Sequence, residues 1–313
     1  MPTNPPNHGQ TDSPLHPFPL EQLDDLISPF IFPPQHRINL AKDYDPGFKA
    51  SHLKKSKAKG QLKAGIKTLA RYQYLLYAQN THSLLIIFQA MDAAGKDSTI
   101  KHVMSGINPQ GCQVNSFKAP SVEELEHDYL WRCSKALPER GQIGIFNCSY
   151  YEEILITRIH PEIMEQRQLP PHLINEQIWE RRFEEINNFE KYLVNNGTII
   201  LKFFLNVSKE EQKERFLERI NRPEKNWKFS IGDAKERARW DDYMAVYEDM
   251  FNHTSTEWAP WYIIPADRKW FTRLVVAGII YTKLEELNLH YPKISKEKHQ
   301  ELLKAKTMLE SNE

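Results

Sequence analysis

The sequence predicts an α/β fold built around a parallel β-sheet. Three continuous apolar runs, SLLIIFQ (83–89), QIGIFN (142–147) and TIILKFFLNV (198–207), have the composition of strands that are buried on both faces. Helical patterns separate these runs, and strands that alternate with helices indicate βαβ units. Shorter strand candidates are QVNSF (113–117) and WYIIP (261–265).

The helices are predicted from apolar spacing and from capping residues. A basic run at 54–63 leads into a helical pattern that continues to residue 80. Ser121 and Glu124 have the spacing of a capping box at the start of a predicted helix over 121–137. Another helix is predicted over about 171–195. A further helix begins after Ser208 and Glu211, which have capping spacing, and the last predicted helix follows the final strand and ends at about 287.

Composition excludes several classes of protein. The 313 residues contain 41 Lys and Arg and 41 Asp and Glu, so no global field attracts the chain to nucleic acid or to an anionic membrane. The longest apolar runs, such as LVVAGII (274–280), are too short to span a bilayer. Three cysteines without C-x-x-C spacing favour a reducing compartment, and the N-terminus lacks the pattern of a signal peptide. We therefore expect a soluble cytoplasmic protein.

The chain divides into three parts. Residues 1–52, which begin with a stretch rich in Pro, Asn and Ser, are predicted to form an extended arm. Residues 53–290 carry the alternating strands and helices and are predicted to form one domain. Residues 291–313 are predicted to form a charged, exposed tail.

The segment QAMDAAGK (89–96) predicts a phosphate-binding loop between a buried strand and a helix. In such loops, amide groups and a lysine meet the negative charge of the phosphate. Ala90 and Asp97 break the usual G-x-x-x-x-G-K-[ST] pattern. Because Asp97 replaces the hydroxyl that usually holds Mg²⁺, Asp92 is the candidate metal ligand. The alternative is a strand-to-helix turn of small residues with a surface lysine.

A second candidate site follows the strand at 142–147. Asn147 ends that strand at the sheet edge where ligands collect, and Glu152, Glu153 and Arg158 come next. A carboxylate here is expected to complete a Mg²⁺ site that Asp92 begins. The alternative is a first helical turn rich in acids for reasons of the helix dipole.

A third feature is the basic segment 218–243, in which Arg222, Lys225 and Lys228 lie around Trp227. Cations on a segment that covers a phosphate site stabilise the charge of a transferring phosphoryl group, and a lid excludes water. The alternative is a pair of solvated charged helices.

These segments together resemble the polyphosphate kinase 2 family, in particular its class III, which phosphorylates nucleoside mono- and diphosphates. The resemblance is carried by FQAMDAAGKDSTIKHVMSGINPQGCQV, IFNCSYYEEILITRIHPE and RPEKNWKFSIGD, and it extends over about 53–287. It implies a P-loop kinase-like three-layer α/β/α fold with a helical lid at about 215–242. It also implies a homo-oligomer (dimer or tetramer) that uses Mg²⁺, or Mn²⁺ as an alternative, to transfer phosphoryl groups from inorganic polyphosphate to AMP or ADP, with guanine nucleotides as an alternative.

The resemblance also implies residue roles. Asp92, Lys96 and Glu152 are the expected catalytic residues, and Asp92 and Glu152 the expected metal ligands. Expected phosphate-binding residues are Ala93, Ala94, Gly95, Lys96, Arg158, Arg222, Lys225 and Lys228, and expected nucleotide-binding residues are Asn147, Lys118, Tyr151 and Arg132.

One position departs from the family. Cys148 stands where the family normally has arginine, and a thiol cannot grip phosphate as a guanidinium does. Either Arg158 or Arg132 compensates, or activity is weakened. Two other readings stay open: an ATP-dependent nucleoside monophosphate kinase, and a protein that binds nucleotide or polyphosphate with little turnover.

Overall fold

The computed structural model describes Phe18 and residues 23–311. Its sheet has the strand order β1-β6-β5-β2-β4-β3, and every neighbouring pair is parallel except β1 with β6. This arrangement confirms the predicted α/β class with a mostly parallel central sheet. The strands are β1 (Ile31–Phe32), β2 (Ser83–Gln89), β3 (Cys112–Ser116), β4 (Ile143–Asn147), β5 (Thr198–Asn206) and β6 (Trp261–Pro265).

Helices flank the sheet as a P-loop kinase-like fold requires. They are α1 (Leu23–Ile27), α2 (Leu40–Asp43), α3 (Lys55–Gln79), α4 (Lys96–Val103), α5 (Val122–Leu125), α6 (Trp131–Lys135), α7 (Glu152–Ile159), α8 (Glu162–Glu165), α9 (Ile178–Asn195), α10 (Lys209–Asn221), α11 (Ile231–Ala238), α12 (Trp240–Thr254), α13 (Lys269–Glu286) and α14 (Lys296–Glu310). Helix α13 packs against α3 and α4, whereas α12 packs against α7 and α9. Short 3-10 segments are Ser28–Phe30, Pro109–Gly111, Pro171–Leu173 and Pro223–Lys228.

Two predicted helices are shorter than expected. The capping box of Ser121 and Glu124 is present, but α5 ends at Leu125 and α6 begins only at Trp131. Between them the Asp128 side chain accepts a hydrogen bond from the Leu130 amide at 2.9 Å. Such a local turn competes with the helix for the backbone. A similar turn precedes α9, where the Asn175 side chain accepts a hydrogen bond from the Gln177 amide at 3.2 Å. Helix α9 therefore begins at Ile178 rather than near residue 171.

The described part of the predicted N-terminal arm packs on the domain. Strand β1 pairs antiparallel with β6, and Phe32 is 2% exposed. The Ser255 hydroxyl donates to the Phe32 carbonyl oxygen at 2.6 Å. This edge strand was not predicted, because two residues are too few to show a periodicity. Residues 1–17 and 19–22 of the arm lie outside the described residues.

The sheet brings the ends of its central strands together. In the parallel register, Phe88 of β2 lies opposite Asn147 of β4 and Phe203 of β5, so the segments that follow these strands begin at one edge. The phosphate loop and Glu152 both start from this edge. Helix α14 has no buried residue. Between residues 23 and 311, every helix is either too short or too polar to cross a bilayer.

Candidate active site

A loop of small residues joins β2 to α4. Ala93 has a φ of 61° and Gly95 a φ of 111°, so the left-handed backbone conformations lie at these two positions. Ala90, where the phosphate-loop pattern has glycine, does not have a positive φ. Alanine therefore fits at this position without backbone strain.

The amide groups of the loop are available to a ligand. Within the described part of the chain, the N–H groups of Ala93, Gly95 and Lys96 have no hydrogen-bond acceptor. The carbonyl groups are held instead, because Arg215 Nη1 donates to the oxygens of Ala93 at 2.9 Å and Ala94 at 2.6 Å. Free amides at the start of a helix are suited to binding phosphate oxygens.

Lys96 begins α4 and carries the charge of the loop. Its Nζ donates to the Ala90 carbonyl oxygen at 2.8 Å. Burial alone would lower the pKa of Lys96, but the neighbouring groups, which include the carboxylates of Asp92 and Glu152, outweigh burial and raise it. The side chain is therefore a stable ammonium ion at neutral pH.

Glu152, the first residue of α7, lies near Lys96 and Asp92 of the loop. Burial raises the pKa of Glu152, the Asp92 carboxylate adds to this rise, and the Lys96 ammonium opposes it. Cys148, which begins the turn between β4 and α7, has a φ of 62°, and its amide donates to the Phe88 carbonyl oxygen at 3.1 Å. Burial raises the pKa of the Cys148 thiol to about 12, so the thiol stays neutral.

Asp97 connects the two strand ends. Asn147 Nδ2 donates to Asp97 Oδ1 at 2.7 Å, and Asp97 also lines the cavity in front of the loop. The residue that replaces the usual hydroxyl thus ties the start of α4 to the end of β4.

The loop opens into a basic cavity of about 440 Å³. Seven Lys and Arg side chains and three acids line it, although the chain as a whole has no net charge. Local clustering therefore creates a site for an anion. The lining residues are Met91, Asp92, Ala93, Ala94, Gly95, Lys96, Asp97, Ser98, Lys101, His102, Arg215, Glu218, Arg219, Lys225, Lys228 and Lys269.

Seven predicted site residues do not line this cavity: Glu152, Asn147, Lys118, Arg132, Arg158, Arg222 and Tyr151. The last three have partners elsewhere. Arg158 pairs with Asp249 and lies over the Trp179 ring at 5.7 Å. Arg222 is exposed and forms ion pairs with acidic neighbours within its own segment. Tyr151 is fully buried and donates its hydroxyl into the core rather than towards a ligand. In this structure these three side chains are engaged elsewhere, because each has nearer partners.

Two of the predicted nucleotide-binding residues, Arg132 and Lys118, are in contact. Arg132 Nη1 donates to the Lys118 carbonyl oxygen at 2.7 Å, while the Lys118 side chain is exposed. Arg132 also lines a second cavity of about 200 Å³, whose walls include Glu153 and Arg182. The structure thus brings Arg132 near Glu152, where it helps to lower the pKa of that carboxyl.

Sequence reasoning missed several residues of the basic cavity. Arg215 is one of many charged residues in α10, and only its burial, at 6% exposure, marks it as the support of the loop. Gln212 supports the loop in the same way by donating to the Asp92 carbonyl oxygen at 2.9 Å. Lys269 begins α13 directly after β6, so the rule that ligands collect at strand ends could have identified it.

Two carboxylates fit the predicted metal site. Asp92 and Glu152 are close enough that one raises the pKa of the other, so a cation between them would relieve their repulsion. Oxygen ligands of this kind suit Mg²⁺, which usually takes one or two carboxylates and completes its shell with phosphate and water. Among the described residues, no group of three or more His, Cys, Asp or Glu side chains is arranged to hold a metal ion.

The chain is similar to proteins of one family. The sequence model of polyphosphate kinase 2 (PPK2) matches residues 52–292. An ADP-polyphosphate phosphotransferase from Rhodopseudomonas palustris is 52% identical over 249 residues, which cover 79% of this chain and 86% of that protein. An AMP/ADP-polyphosphate phosphotransferase from Meiothermus ruber is 45% identical over 224 residues, or 72% of this chain and 80% of that protein.

A solved structure has the same fold. The crystal structure of polyphosphate kinase 2 from Arthrobacter aurescens TC1 superposes with a TM-score of 0.77 at 39% identity, and the match covers 88% of this chain and 97% of that one. The sequence match, the fold and the loop geometry agree. The chain belongs to the polyphosphate kinase 2 family and is a phosphotransferase.

Proposed function

We propose that this protein is a polyphosphate-dependent nucleotide kinase that transfers a phosphoryl group from inorganic polyphosphate to AMP, ADP or both. One observation carries the proposal: free loop amides and Lys96 open into a cavity lined by seven Lys and Arg side chains in a chain without net charge. The relatives named above as polyphosphate phosphotransferases support the same donor and acceptors.

The basic cavity is assigned to the donor. An inorganic polyphosphate chain repeats its negative charge along its length, so it needs several cations in a row. Lys101 and Lys269 line the cavity together with Lys96, and Lys225 and Lys228 line it from the lid segment. A chain bound here would place its terminal phosphate on the loop.

The acceptor is assigned to the side of Glu152. The family resemblance implies nucleotide binding by Asn147, Lys118 and Arg132. Arg132 lies near Glu152 and contacts Lys118, which supports this assignment. Arg132 can bind a phosphate through two parallel hydrogen bonds. AMP and ADP are the proposed acceptors, with guanine nucleotides as an alternative.

The proposed reaction is a direct in-line transfer. An oxygen of the acceptor phosphate forms a bond to the terminal phosphorus of polyphosphate, and the bond from that phosphorus to the bridging oxygen breaks. Polyphosphate leaves one unit shorter. Lys96 and the loop amides hold the transferring group, which needs positioning and charge stabilisation rather than a covalent enzyme intermediate.

Mg²⁺ is the proposed cofactor, with Mn²⁺ as an alternative. Asp92 and Glu152 would hold the ion. When bound, it supplies charge neutralisation to phosphates that would otherwise repel one another. This role agrees with the raised pKa of Glu152, to which burial and the Asp92 carboxylate contribute.

Product analysis tests the proposed function. Purified protein is mixed with AMP and Mg²⁺ and supplied with either polyphosphate or ATP, and nucleotides are separated by anion-exchange chromatography. We expect ADP, or ADP followed by ATP, with polyphosphate as donor. Consumption of ATP alone would instead identify an ATP-dependent nucleoside monophosphate kinase. Binding of both ligands without product would identify a binding protein.

We also propose a homo-oligomer in the cytoplasm. The apolar side chains of Leu302, Leu303, Met308 and Leu309 on α14 are exposed, and a second copy of the chain would cover them. The three cysteines have no C-x-x-C spacing, a pattern that favours a reducing compartment. Analytical ultracentrifugation distinguishes a monomer from a dimer or tetramer.

A further inference from the structure

A buried ion pair lies behind the acidic turn of the site. Lys202 of β5 and Glu190 of α9 are both 0% exposed, and Lys202 Nζ lies 2.7 Å from Glu190 Oε2. Lys202 also donates to the Tyr151 hydroxyl at 3.1 Å and to the Thr254 carbonyl oxygen at 2.6 Å. All three hydrogen atoms of the ammonium group are therefore used.

The other oxygen of Glu190 binds two consecutive tyrosines. The hydroxyls of Tyr150 and Tyr151 each donate to Glu190 Oε1 at 2.8 Å. Both tyrosine side chains are buried, at 1% and 0% exposure. One carboxylate oxygen thus fixes two neighbouring residues.

Those two residues belong to the turn that carries Glu152. Tyr151 directly precedes Glu152, which is the first residue of α7. The turn is also held at its start, where the Ser149 hydroxyl oxygen accepts a hydrogen bond from the Tyr151 amide at 3.2 Å. Lys202 and Glu190 do not line the phosphate cavity, but through the two tyrosines they contact the turn that leads to Glu152.

We propose that Lys202 and Glu190 are positioning residues for phosphoryl transfer. They hold Tyr150 and Tyr151 so that Glu152 faces Lys96 across the loop. This inference rests on the proposed function, because Glu152 is assigned its role there. It adds two buried residues of the core to the residues that determine the rate of transfer.

A double substitution of Lys202 and Glu190 can test their effect on the position of the turn without a loss of protein stability. Replacing a buried ion pair with apolar residues of similar volume is often neutral or stabilising, because two charges no longer have to be removed from water. An apolar pair offers no acceptor to the two tyrosine hydroxyls. A stable protein with a displaced turn is therefore the expected result.

Two matched double variants test the proposal. Lys202→Met with Glu190→Leu removes the acceptor, whereas Lys202→Met with Glu190→Gln keeps an oxygen for the tyrosines without any charge. We expect the first to fold and to lose about 10²-fold in kcat, as small displacements in active sites do, while the KM for polyphosphate stays unchanged. The second is expected to recover most of kcat. Leu76→Ala, a core change in α3 far from the turn, should lower the Tm without this loss of kcat.

Several results would overturn the proposal. An apolar double variant that folds and keeps the wild-type kcat would do so, as would an equal loss in both double variants. If neither double variant folds, Tyr151→Phe decides: a lower kcat at unchanged KM for polyphosphate supports positioning, and an unchanged kcat contradicts it.

A second readout does not depend on activity. Cys148 lies in the same turn and is partly buried, so its rate of alkylation by iodoacetamide, followed by peptide mass spectrometry, reports the position of the turn. The apolar double variant should react faster than the glutamine double variant, and equal rates would contradict the proposal. A wild-type protein without transfer activity would overturn the proposed function, while the alkylation rates would still decide the role of the pair.

Discussion

The two turns that leave the central strands β2 and β4 differ in what supports them. Both contain a residue with a positive φ, Ala93 in one and Cys148 in the other. The first turn is open: among the described residues the amides of Ala93, Gly95 and Lys96 have no acceptor, and Lys96 lines a cavity. The second turn is filled by two buried tyrosine rings, and Cys148 and Glu152, which flank it, lie near Lys96.

This difference separates two tasks of a phosphotransferase. The open turn can bind a phosphate because backbone groups are left without protein partners, and Arg215 supports it through its carbonyl groups. The filled turn cannot bind in that way, but its packing keeps a carboxylate in place. We infer that substitutions in the first turn act on the transferring phosphate directly, whereas those in the second act through Glu152.

The largest expected effect is that of Lys96→Ala. Loss of the ammonium group removes the main cation of the open turn, and we expect kcat/KM for polyphosphate to fall about 10³-fold. A coupled luciferase assay of ATP formation measures this. Lys101→Ala, which removes another lysine of the same cavity, is the control and should mainly raise the KM. Near wild-type turnover in Lys96→Ala would show that the open turn does not hold the transferring group.

The next largest effect is expected for Glu152→Gln. The variant should lose about 10²-fold in kcat, because a neutral amide oxygen binds Mg²⁺ more weakly than a carboxylate and does not balance its charge. For the wild type, we expect activity to fall as the pH falls through the pKa of Glu152, which burial raises above 4.5.

The same substitution should raise stability at neutral pH. Because the folded-state pKa is raised, the folded state binds more protons between the unfolded and folded pKa values, and stability falls as the pH rises through that range. Glu152→Gln removes this loss, so its free energy of unfolding should exceed that of the wild type at pH 8 and approach it near pH 4. Urea denaturation at both values measures the difference. Glu126→Gln, an exposed site, should show no such dependence, and an equal gain at both pH values would contradict the assignment.

A gain of activity is expected for Cys148→Arg. An arginine at the start of the filled turn would add a charge-assisted hydrogen bond to phosphate, and we expect kcat/KM for AMP to rise about tenfold. Residue 148 has a positive φ, which cysteine and arginine both adopt at a similar cost because both carry a Cβ atom. The exchange therefore adds no backbone strain. Cys148→Ser is the matched control and should leave the rate unchanged. If arginine does not raise the rate, the compensation by Arg132 that the sequence suggested becomes the better explanation.

The smallest effects are expected in the lid. Lys228 lines the cavity, whereas Arg222 forms ion pairs with Glu218 and Glu224. Lys228→Ala should raise the KM for polyphosphate about fivefold, as the loss of one exposed cation does, and Arg222→Ala should change it less. Initial rates over a range of polyphosphate concentrations measure both. A larger effect of Arg222→Ala would restore its predicted role in phosphate binding.

The sequence by itself determined five of the six strands of the described sheet, the position of the loop between β2 and α4, and the family. Continuous apolar runs reveal buried strands, and the order of Gly95 and Lys96 after such a run reveals the loop, because both signals are local. The predicted roles of Asp92 and Lys96 remain predictions, although both residues line one cavity.

Only the tertiary structure decided which distant residues support the site. Arg215 holds the loop, and Glu190 holds the second turn, from positions more than 30 residues away along the chain. In the sequence these residues look like any other charged residue of an amphipathic helix. Burial and hydrogen-bond partners distinguish them, and both depend on how the helices pack on the sheet rather than on local pattern.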